Sequence, residues 1–109
     1  MAEKYFRQAL LFEPEKVERI YNLGFFLINN DRNINEGLDL IDRALKISPD
    51  NYSFLDTKGW GLYKHGKNKE ALEILENSWD LRLKNAVYNH EAFLHLEAAK
   101  KAVAMQKNN

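Results

Sequence analysis

The chain has 109 residues, 45% of them hydrophobic and 29% charged, and its 16 basic and 16 acidic residues leave no formal net charge. That length builds one modest core; the even charge balance, with neither half strongly basic (7 basic against 9 acidic residues up to Phe54, 9 against 7 after it), argues against a nucleic-acid binder; and the absence of cysteine removes disulfides and thiolate metal sites. No apolar run approaches the roughly 20 residues of a membrane span, and Met1-Ala2-Glu3-Lys4-Tyr5 lacks the order of a signal peptide, so membrane insertion is not expected and no compartment is selected.

Apolar residues at three- and four-residue spacing predict six helices and no strand, over 2–12, 17–30, 35–47, 52–65, 69–83 and 86–106. The first carries Phe6, Ala9 and Leu10 and is stopped by Pro14, which cannot continue a helix. The second buries Ile20, Leu23 and Leu27 around the small Gly24. Asn33, with Glu36 three residues on, opens the third as an amide variant of the capping box. That helix buries Leu38, Ile41 and Leu45, carries Gly37 and Ala44, and ends before Pro49. The fourth turns Leu55 and Leu62 inward around Gly59, and Gly66 can end it in the left-handed conformation. Ala71, Leu72, Leu75 and Trp79 form the inner stripe of the fifth. The last places Tyr88, Ala92, Leu96, Ala99 and Val103 inward, with Glu91, His95, Lys100, Lys101 and Gln106 as a polar outer face.

The punctuation repeats. Ala9-Leu10-x-x-x-Pro14 recurs as Ala44-Leu45-x-x-x-Pro49, and Gly24 recurs as Gly59, each 35 positions on. One unit reads Ile20-x2-Leu23-Gly24-x2-Leu27, Gly37-x3-Ile41, Ala44 and Pro49; the next reads Leu55-x2-Lys58-Gly59-x2-Leu62, Gly66, Ala71-x3-Leu75 and Ser78. This resembles the tetratricopeptide repeat, about 34 residues long, as found in bacterial arrays. The resemblance covers about residues 1 to 84. It departs at Lys58, where the family usually has leucine, and at Leu83, which replaces the closing proline.

The resemblance implies an all-α, right-handed superhelical solenoid of antiparallel helix hairpins. The single repeat domain would comprise the second helix of a partial repeat (1–14), two repeats (17–49 and 52–84) and a capping helix (86–106). It also implies a non-catalytic scaffold that holds a peptide segment or partner protein in a concave groove. Tyr21, Asn22, Phe25 and Asn29, then Thr57, Trp60, Lys64 and His90, are the expected partner-binding residues, with Glu18, Ser53, Asp56, Val87, Glu91 and Leu94 beside them. Rings would bury apolar side chains while amides bond a peptide backbone; the same rings would also serve packing between successive repeats. The family's carboxylate clamp for chaperone termini is a poor match, since Asp56 would repel a carboxylate. The alternative is a structural piece that mainly self-associates, because Tyr5, Phe6, Ala9 and Leu10 lack their usual partner helix; weak homo-oligomers would follow.

No catalytic constellation emerges. His90-Glu91-Ala92-Phe93-Leu94-His95 resembles a zinc-protease motif but spaces its histidines by five, about 140° apart on a helix instead of on one face. Gly59-Trp60-Gly61 lies within a helix and forms no phosphate loop. No enzyme activity, metal or cofactor is expected.

Overall fold

A computed structural model describes residues 2–107, with the Lys107 side chain outside that description. Among the described residues there are six helices and no strand: α1 (Ala2–Phe12), α2 (Val17–Asn29), α3 (Ile34–Ile47), α4 (Tyr52–Lys64), α5 (Asn68–Lys84) and α6 (His90–Lys107). The chain divides into two compact units, one ending at Pro49 and the other beginning at Asp50.

In the first unit α2 and α3 form a hairpin whose backbones nearly touch. A Cβ on Gly24 would lie 2.9 Å from Ile41 Cδ1 and 3.1 Å from the Gly37 carbonyl oxygen, and one on Gly37 would lie 3.1 Å from the Gly24 oxygen. The core beneath is Ile20, Leu23, Leu27, Ile28, Leu40, Ile41 and Ala44. The α3 stripe is therefore rotated from the expected one: Leu40 is buried while Leu38 and Leu45 are half-buried. The crossing at Gly37 sets that rotation, because residues three, four and seven further on share its face.

Helix α1 contributes no buried residue. Phe6 packs on Phe26 of α2 with ring centroids 5.5 Å apart, and Leu10 is half-buried. These two residues therefore pack against α2, contrary to the expectation, whereas Tyr5 is uncovered as expected, at 64% exposed, together with Leu11 and Phe12 at 80% and 88%. A shallow cavity of about 370 Å³ lies among Leu10, Leu11, Leu23 and Leu40, and long charged side chains tie α1 to the α2–α3 hairpin around it. Arg7 donates to both Glu36 oxygens (2.8 and 2.9 Å) and to Glu3 (3.0 Å), while Arg32 donates to Glu3 at 2.6 Å. Asn33 caps α3 by accepting from the Glu36 amide at 3.2 Å. The return bond differs from a capping box: the Asn33 amide group donates to Glu36 Oε1 at 3.3 Å, with Arg7 holding the same carboxylate.

The second unit repeats the hairpin with α4 and α5. A Cβ on Gly59 would fall 2.5 Å from Leu75 Cγ, with the Ala71 oxygen 3.4 Å away. Phe54, Leu55, Leu62, Ala71 and Leu75 are buried, and α6 closes the unit with Ala92, Leu96, Ala99 and Val103. Helices α2, α4 and α5 all end alike. The bonds Arg32 to Leu27, Lys67 to Leu62 and Val87 to Arg82 are the six-to-one bonds of a Schellman motif, with Asp31, Gly66 and Ala86 at positive φ. Ala86 thus belongs to the end of α5. Helix α6 starts at His90, four residues later than expected, where the Asn89 side chain accepts from the Ala92 amide at 2.9 Å. Tyr88 consequently lies before the helix and is 65% exposed.

Candidate partner-binding faces

Each unit presents its own set of the expected residues. On α2 the core stripe takes Ile20, Leu23 and Leu27, which leaves Tyr21 and Phe25, one turn apart, on a shared flank. Their rings stack at 5.7 Å and 29°; Phe25 is 42% exposed and Tyr21 half-buried. Asn22 is half-buried, and Asn29, the last residue of the helix, is exposed.

In the second unit Trp60 is the centre of a stack. Tyr63 lies nearly parallel to it at 4.9 Å and 10°, and His95 of α6 at 4.1 Å and 14°. Lys64 places its ammonium 5.7 Å from the Trp60 ring centroid. Trp60 and Lys64 are both half-buried.

His95 does not join the polar outer face of α6. Its Nδ1 lies 3.0 and 3.2 Å from the two Asp56 oxygens, and since a carboxylate only accepts, Nδ1 carries the proton of this bond. The Asp56 charge is thus engaged by His95. One residue-step of about 100° separates His95 from the buried Leu96, so it stands at the edge of the packed stripe and reaches α4.

Thr57 departs from the expectation of a partner contact. It is 5% exposed, and its hydroxyl donates to the Ser53 carbonyl one turn back at 3.0 Å, so it belongs to the core of α4. His90 is exposed at the start of α6, with Nδ1 3.0 Å from the Tyr88 hydroxyl. Around it Tyr88, Phe93 and Trp79 make a second group of rings: Trp79 meets Tyr88 at 5.9 Å and 81°, and Phe93 at 5.9 Å and 55°.

The second unit therefore brings Trp60 and Lys64 together and adds Tyr63 and His95, which sequence reasoning had not assigned to the site; His90 is grouped with other partners. The signal in the sequence for Tyr63 is its spacing, three residues after Trp60, which puts the two on one face of the helix. No group of three histidine or acidic residues that could hold a metal ion occurs among the described residues, and no helix there is long and apolar enough to cross a membrane.

No family model matches the chain. It is similar to a TPR repeat-containing protein of Pseudomonas aeruginosa, 32% identical over 76 residues, which is 70% of this chain and 13% of the relative. The chain thus spans about an eighth of the length of that relative. With helical hairpins closed at Gly24/Gly37 and Gly59/Ala71, and with that identity across most of its length, the chain belongs to the tetratricopeptide-repeat family.

Proposed function

We propose that this chain is a non-catalytic protein-interaction module that binds a peptide segment on the α4–α6 face of its second unit. The supporting observation is the fixed stack of Trp60 between residues of two helices: Asp56 holds His95, and His95 with Tyr63 holds the indole. Ordering a flexible side chain on binding costs about 0.5–1.5 kcal/mol, and here that cost falls at folding. Rings in such positions carry a disproportionate share of interface energy. Membership in a family of repeat proteins that act as scaffolds supports the same reading. On α2, Tyr21, Asn22, Phe25 and Asn29 are the proposed contacts of the first unit; on the second they are Trp60, Lys64 and, nearer the α6 start, His90. Thr57 supports the face from beneath.

Peptides selected from a random display library against the purified chain test this reading. Their amide-shift footprint should centre on α4 and the first turns of α6; a footprint confined to the outer side of α5 would refute it. A second reading, weak self-association through α1, is favoured by the exposure of Leu11 and Phe12. Sedimentation should show reversible dimers that Leu11→Ser and Phe12→Ser abolish, and a strict monomer at millimolar concentration would dismiss it.

A further inference from the structure

Buried charges in folded proteins are paired and hydrogen-bonded, because leaving one unpaired is costly. Arg82, in the last turn of α5, departs from that rule. It is 6% exposed, and its Nε is a buried nitrogen without a hydrogen-bond partner. Among the described residues no carboxylate forms an ion pair with it. The contact its guanidinium does make is with the ring of Tyr52, 4.6 Å from Cζ.

Tyr52 opens α4, and the neighbourhood of its backbone is where an anion would be received. Ser78, one turn before Arg82, donates to the Tyr52 carbonyl at 2.7 Å. The hairpin is antiparallel, with Gly59 against Ala71 and Leu75, so Arg82 comes one turn beyond Ser78, beside the N-terminal end of α4. The first amides of a helix have no intrahelical acceptor. Asn51 satisfies one of them, accepting from the Phe54 amide at 3.1 Å; the Tyr52 and Ser53 amides remain. Helix α4 has 13 residues, long enough for its dipole to favour negative charge at that end.

We propose that Arg82 and the first turn of α4 form a receptor for an oxyanion, a carboxylate or a phosphate group. The planar fork of arginine matches either group, and stacking on Tyr52 fixes the plane of that fork. Asp50, just before the cap, and Asp80, two residues before Arg82, are exposed acidic residues nearby in sequence that oppose the ligand. This site shares none of the contacts proposed for the peptide on the second unit, Trp60, Lys64 and His90, so the two stand or fall separately.

The test titrates the full chain with inorganic phosphate and, separately, with acetate, following the Arg82 Nε–H and the Tyr52 and Ser53 amides by nuclear magnetic resonance. Saturable shifts of all three are expected. A response to acetate as well as phosphate assigns a carboxylate-competent site, and a response to phosphate alone a phosphate site. Arg82→Met, which keeps the packing volume, should weaken binding at least about tenfold with helicity unchanged. Should that variant not fold, Arg82→Lys, which keeps the charge and loses the fork, should still bind severalfold more weakly. Absence of a saturable shift with both anions, or amide shifts of equal affinity in the variant that folds, would overturn the proposal.

Discussion

At Gly59 and Gly66 the same residue type answers two different needs. A Cβ on Gly59 meets the branch carbon of Leu75, which is 1% exposed and has nowhere to move. Gly59→Leu should therefore cost about 1–3 kcal/mol and lower the melting temperature by at least about 5 °C; an unchanged melting curve would mean that the crossing lies elsewhere. A Cβ on Gly66 meets nothing within 4 Å, but its φ of 84° penalises any side chain. Ala86 sits in the same motif at φ 56° without being glycine. Ala86→Gly should raise stability by up to about 1 kcal/mol, and a destabilised variant in thermal melts would show that this strain is absent. The glycines at the crossings and at the end of α4 were legible in the sequence because each requirement is local. Ala86 was not, since alanine favours helix and nothing in its side chain signals the left-handed turn.

Among the elements, α1 is the one held largely by its edges. The Arg7 guanidinium, bonded to Glu36 and Glu3, holds both carboxyls below the usual carboxylate range, and the pairing raises Arg7 above its ordinary value. Because the folded values are depressed, this attachment is fully present above the unfolded carboxylate pKa of about 4.3 and is lost as pH falls through the lower folded values. Amide exchange in α1 should accelerate relative to α2 between neutral pH and pH near 3 after correction for intrinsic rates. Arg7→Met should reproduce roughly a threefold loss of α1 protection at neutral pH. If acid leaves the α1 to α2 ratio unchanged, the ion pairs contribute nothing to its docking. The spans of α1 to α5 followed closely from apolar spacing and from Pro14, Pro49 and Gly66. The start of α6 did not: the expected helix runs back to Ala86, whereas the Asn89 side chain caps it three residues later.

At the scale of the whole chain, repetition made the family legible, since Gly24/Gly59 and Pro14/Pro49 share one offset. The proposed binding face was legible only in part. The place of Trp60 after Gly59 marks it in the sequence, whereas nothing there marks His95, whose partner Asp56 lies 39 residues away with no periodicity to link them. Burial of Thr57 was equally hidden, as its hydroxyl is satisfied within its own helix. The Trp60 stack, as a preformed binding surface, is the centre of the proposed function. The most direct test is the affinity of a display-selected peptide for the parent chain and for Trp60→Ala, measured calorimetrically after both are shown to be folded. At least about thirtyfold weaker binding by the variant, roughly 2 kcal/mol, is expected. Equal affinity in a folded Trp60→Ala chain would contradict it.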